Sequence, residues 1–107
     1  MISDDDIEEA LTFLTEHAHE AASARANRIY LEEYRHSLKA QIMKNYPVLP
    51  VNAQEREAYA SQRYQDHLLA IQGAVYADEK ARYLIKAAEA KIEAWRTIQA
   101  TQRAMKV

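Results

Sequence analysis

Tyr46-Pro47-Val48-Leu49-Pro50-Val51-Asn52 holds both prolines of the chain, and its reading decides the fold. Each proline lacks a backbone donor and stops a helix. The residue before a proline is pushed away from helical angles, so Tyr46 closes the helix that precedes it. On either side the sequence is built for helix. Of 107 residues 20 are Ala and one is Gly; Ala is the best helix former, Gly and Pro the worst. Ala, Glu, Lys, Leu and Arg supply 53 residues, about half, the composition of long helices and coiled coils.

Working outward, the first helix is predicted over about 4–46. Ser3 is a good N-cap, and Asp6 stands three residues on, an acidic form of the capping box. Asp4, Asp5, Asp6, Glu8 and Glu9 crowd the end where the helix dipole favours negative charge. Ile7, Leu11, Leu14, Ala18, Ala21 and Ala24, then Leu31, Tyr34, Leu38 and Ile42, mark an apolar seam. Its two successive three-residue steps at Ala18, Ala21 and Ala24 resemble a stammer. After the tip loop 47–52, Asn52 caps a short helix over about 53–60, with Glu55 at the capping-box position. Ser61 caps the last helix, about 62–105, and either a break or a bend separates the two. Leu68, Ile71, Val75, Ile85, Ala88, Ile92 and Trp95 form its stripe, which Asp78 and Arg82, i,i+4 partners, interrupt. Gly73 marks a place of close packing against the first helix.

Two long helices of matched length fold back on each other. Residues 1–20 carry seven acids and no Lys or Arg, and residues 80–107 carry seven Lys or Arg and two acids. An antiparallel hairpin sets these ends side by side, with Leu14 near Trp95 and Leu31 near Ala77. The alternative is a bent rod that pairs only between chains. Leu, Ile, Val and Phe total 21 residues, thin for a thick core. The expected fold is therefore all-α: a coiled-coil-like helical hairpin with a short helix at its proline tip, one domain, dimerising into a four-helix bundle.

Composition excludes several classes. There is no Cys, hence no disulfide scaffold and no thiolate nucleophile. No apolar run is long enough for a membrane span, and the acidic start does not read as a secretory signal. A cytoplasmic location is the default. The single Gly leaves no phosphate-binding loop, so no enzyme chemistry and no cofactor is expected. Three sets of residues remain as candidate sites. Leu49 and Val51 in the tip, with Tyr59 and Tyr64 behind it, are candidate anchors for a partner protein, since rigid helices present such anchors at regular spacing; alternatively Leu49 and Val51 plug the end of the bundle. Lys80, Arg82, Tyr83, Lys86, Lys91, Arg96 and Arg103 give the last helix a basic, aromatic character that suits single- or double-stranded DNA. Glu33 and His36 form a Glu-x-x-His pair of the kind that binds metal in helical bundles.

Tyr30-Leu31-Glu32-Glu33-Tyr34-Arg35-His36-Ser37-Leu38-Lys39-Ala40, Ala53-Gln54-Glu55-Arg56-Glu57-Ala58-Tyr59-Ala60 and Ala87-Ala88-Glu89-Ala90-Lys91-Ile92-Glu93-Ala94-Trp95-Arg96-Thr97 together resemble a family of small helical proteins of temperate bacteriophages and prophages of proteobacteria. The resemblance covers about 30–104. It departs at Ser61-Gln62, where an Asp-Pro would begin the last helix. It implies no activity and no site residue. It does imply a gene among early phage recombination or replication functions. The expectation is then a non-enzymatic accessory protein in the host cytoplasm. Its partner would be a phage recombination or replication protein, or a host nuclease or defence complex. DNA binding and metal binding are the alternatives.

Overall fold

The computed structural model describes residues 2–106. Among them are three α-helices and no strand: α1 (Asp4–Met43), α2 (Val51–Ala60) and α3 (Gln62–Met105). The chain is a helical hairpin. Its contacts fall into two units, one formed by residues up to Ala22 with those from Glu79, the other by Ser23–Asp78.

Local chemistry explains the boundaries. Ser3 Oγ accepts from the Asp6 backbone N–H at 3.2 Å and Asp6 Oδ2 accepts from the Ser3 N–H at 2.9 Å, so the capping box closes as the sequence suggests. The end of α1 comes three residues before Tyr46. Asn45 N–H donates to the Ile42 carbonyl and Tyr46 N–H to that of Met43, i→i+3 bonds that tighten the last turn ahead of Pro47. The start of α2 comes earlier than the sequence suggests. The Pro50 carbonyl accepts from both Ala53 and Gln54, and proline's φ of -63° is already suited to a helix entrance. Asn52 does not cap: its side chain accepts from its neighbour Ala53. Glu55 turns to Lys39 instead, at 3.6 Å. Ser61 makes a true break, with ψ 150°. Its hydroxyl accepts from Tyr64 N–H and donates to the Ala58 carbonyl.

The seam differs from its expected course. The inward positions of α1 are Ile7, Ala10, Leu14, His17, Ala21, Ala24, Arg28, Leu31, Leu38 and Ile42. Those of α3 are Tyr64, His67, Ile71, Ala74, Asp78, Ala81, Ile85, Ala88, Ile92 and Trp95. Both follow an unbroken heptad alternation of three and four residues, with one further step of seven at Leu31–Leu38 in α1, bridged by half-buried Arg35. There is no stammer. Leu11 and Ala18, placed on the seam by hydrophobicity, are exposed, and Ala10 and His17 take those positions. Asp78 does not interrupt the seam but lies on it.

In the unit of residues up to 22 and from 79, segments of α1 and α3 run antiparallel. Trp95 Nε1 donates to Asp4 Oδ1 at 3.3 Å, and Ala10 and Phe13 share a groove with Leu84, Ala87 and Ala88. In the Ser23–Asp78 unit Arg28 meets Asp78, His67 meets Leu31, and Arg63 reaches Gln41. Here α2 lies against the end of α1. Leu38, Ile42, Ala58 and Tyr64 form one buried cluster, covered by Tyr34, Met43 and Tyr46.

The register is displaced by ten residues in each unit. Trp95 bonds to Asp4 and not to a residue near Leu14, and Leu31 faces His67 and not Ala77. At 1.5 Å per residue this is about 15 Å. The cause is α2. It belongs to the returning arm, so the chain reverses at Pro47–Pro50 and pairing with α1 begins with α2.

Candidate interaction surfaces

The tip is a short turn between prolines. Leu49 N–H donates to the Tyr46 carbonyl at 3.2 Å, and Gln54 Nε2 donates to the same carbonyl at 2.8 Å. Together with the Tyr46 N–H bond to the Met43 carbonyl, these bonds tie the loop to both helices it joins. Pro47 and Val48 occupy the two central turn positions and point outward: Val48 is 92% exposed and Val51 63%. Val51 therefore does not plug the end of the hairpin, while Leu49 is half-buried. Val48 was not among the anchors read from the sequence; its place after a proline at the corner of a turn was the available signal. Beside the tip, Ala40, Met43, Lys44, Pro47 and Gln54 line a groove of about 410 Å³.

The two tyrosines behind the tip part company. Tyr64 is no surface anchor: it is buried with Leu38 and Ile42 because Ser61 starts α3 on the inward face. Tyr59 stays exposed, edge-on to Tyr64 at 5.2 Å between ring centres. Lys39 Nζ stands 4.8 Å from the Tyr59 ring centre. The hydrogen bond to Tyr59 is the main reason the Lys39 ammonium titrates above the usual lysine range, with Glu55 adding to it.

The basic residues of α3 are exposed but do not make one face. Arg82, Arg96 and Arg103 share a heptad position, seven or fourteen residues apart; Lys80, Tyr83 and Lys86 point to the outer side, and Lys91 to another flank. Arg82 pairs with Glu79 at 3.8 Å and Arg96 with Glu93 at 3.3 Å, both within the helix. The acidic start of α1 is held by its own cap: hydrogen bonds from Ser3 are the chief cause of the Asp6 carboxyl lying below the usual range, with Lys91 a lesser one.

Glu33 and His36 are both exposed on α1. Among the described residues no three His, Asp or Glu side chains stand together so as to hold a metal ion. Among the described residues the Glu-x-x-His pair therefore has no third side-chain ligand.

Two polar seam contacts escaped the sequence reading. Asp78, its side chain 7% exposed, takes Arg28 Nη1 at 3.1 Å, while Arg28 Nε donates to Glu32 at 2.8 Å. His67, which carried no motif, has Nε2 2.7 Å from the Leu31 carbonyl and its ring against Tyr34. A regular heptad count would have found both, since 64, 67, 71, 74 and 78 are its positions. Gly73 is not a site of close packing within the chain: a Cβ built on it would meet nothing within 4 Å. It lies on the outer side of α3 between Leu69 and Tyr76, both exposed.

These features define an all-α helical hairpin with an apolar tip and a polar step in its seam. No helix is long and apolar enough to cross a membrane. Comparison with protein-family models, curated proteins and solved structures gives no match.

Proposed function

We propose that this chain is a non-enzymatic accessory protein that acts by binding another protein, with the Pro47–Val51 tip as the contact. The observation that carries the reading is the tip itself. Val48 and Val51 are held in solvent by a turn whose carbonyls and amides are bonded to both flanking helices. An apolar turn presented in this way costs free energy unless a partner covers it. Ordering is already complete before binding, so little entropy is lost on contact. The adjoining groove at Ala40, Met43 and Pro47 extends the apolar contact, with Lys44 at its edge.

The sequence resemblance alone supports a phage setting. In that setting the partner is a phage recombination or replication protein, or a host nuclease or defence complex, met in the host cytoplasm. The test is a pull-down with and without nuclease, using the wild type and Val48→Ser/Val51→Ser. A prey protein that survives nuclease and is lost in the variant, with the melting temperature unchanged, supports the tip. Prey that disappear on nuclease treatment overturn it in favour of DNA, bound through Lys80, Arg82, Lys86, Lys91, Arg96 and Arg103, with steep salt dependence.

A further inference from the structure

We propose that the outer side of α3 is the contact surface for a second copy of this chain, arranged antiparallel about a two-fold axis at Gly73. Asp66, Leu69, Gly73, Tyr76 and Lys80 follow one another at steps of three and four residues and are all exposed. They form a second stripe on α3, turned away from its seam with α1. Leu69 is 65% exposed and Tyr76 68%. Between them Gly73 leaves open space. Glycine is a poor helix former, and among the described residues nothing comes within 4 Å of a Cβ placed at Gly73. A second helix crossing there uses that room, because the two backbones then approach closely.

The charges choose the occupant and its direction. In an isologous contact each residue meets its mirror position on the partner. With Gly73 against Gly73 of the partner subunit, Leu69 packs on Tyr76 of the partner subunit. Asp66 then faces Lys80 of the partner subunit, and the pair occurs twice. A parallel arrangement sets Asp66 against its own copy and Lys80 against its own. Among the described residues the Asp66 carboxylate accepts from the Gln62 side chain of its own helix, at 2.7 Å, and stays exposed. This surface is separate from the tip, and the proposal does not rest on the protein-binding role.

Sedimentation equilibrium on the full chain tests it. The wild type is expected to be a dimer at about 100 µM, and Gly73→Lys to raise the dissociation constant at least tenfold. Lys is a better helix former than Gly and meets no neighbour in the monomer, so the variant keeps its helical content by circular dichroism. Asp66→Lys and Lys80→Asp each weaken the dimer, and the double exchange restores it. Because the chain has no Cys, Gly73→Cys gives a single disulfide-linked dimer under oxidation. Tyr76→Ser dissociates the dimer, and Tyr30→Ser, similarly exposed but on α1, does not. A wild type that stays monomeric overturns the proposal, whatever other protein then binds the face. So does a Gly73→Lys dimer of unchanged affinity, or a Tyr30→Ser chain that dissociates as readily as Tyr76→Ser.

Discussion

Between residues 23 and 78 three helical segments meet, whereas the unit formed by residues up to 22 and from 79 has two. With three, a side chain is covered from more than one direction. Ala58 has no exposed surface, and Leu38, Ile42 and Tyr64 close around it. With two, only one stripe of each helix is covered. The buried residues there are Ile7, Ala10 and Ala88, two of them the size of a methyl group. Polar chemistry differs as well. The three-segment unit has cross-helix bonds through Arg28–Asp78, His67–Leu31 and Lys39–Glu55, against the exposed Trp95–Asp4 bond in the other. Where coverage is one-sided, small side chains and helix propensity carry more of the stability. Where a third segment is added, a true core begins.

The sharpest way to break this contrast is to remove matched side chains. Ile42→Ala is expected to cost about 3 kcal/mol, within the usual range for such cavities. Ile7→Ala should cost about half as much, because a two-helix contact collapses more easily. Urea unfolding of both variants decides it; equal losses would mean the two units pack alike. Next is Asp78→Ala, which leaves Arg28 facing an apolar seam. Arg28 is about one-quarter exposed, so the expected loss is about 2 kcal/mol, less than for a fully buried pair. Replacing both, Arg28→Met with Asp78→Leu, should recover most of it.

Smaller effects sharpen the picture at the helix ends. Ser61→Ala removes the cap of α3 and should cost about 1 kcal/mol, lowering the melting temperature by a few degrees. Least of all is the Ser3–Asp6 box, exposed and at the edge of the thinner unit. The Asp6 carboxyl titrates lower in the folded chain than in the unfolded one. Its contribution is therefore present above its unfolded value and is lost as pH falls through the folded one. Amide exchange in the first turn of α1 should accelerate over that acidic window, and Asp6→Asn should abolish the pH dependence. Exchange in the Ser23–Asp78 unit should be slower throughout.

Much of the fold was legible because helix propensity and punctuation are local. The Ala-rich arms, the two prolines and the Ser3 and Ser61 caps follow from neighbours in sequence, and the hairpin was read from the matched lengths and opposite charges of the two arms. The seam was harder to read. Hydrophobicity favoured Leu11, Ala18, Leu68 and Val75 over Ala10, His17, His67 and Asp78, yet an unbroken heptad fixes the inward positions whatever residue fills them. Of the tip anchors, Val51 and Tyr59 are exposed as a contact requires. Tyr64 is buried because the angle at which α3 leaves Ser61 is set by packing.

The sequence by itself determined that this chain is helical, that its helices are interrupted at Pro47–Pro50 and where α1 and α3 begin, because caps and prolines act over a few residues. Only the tertiary structure decided the register, the pairing of Arg28 with Asp78 and the outward aim of Val48 and Gly73. Those depend on α2 joining the returning arm, a contact between residues such as Lys39 and Glu55 whose local sequences are silent about each other. Local rules fix elements. Which faces meet is fixed by the burial of Leu38, Ile42, Ala58 and Tyr64 together, which no segment achieves alone.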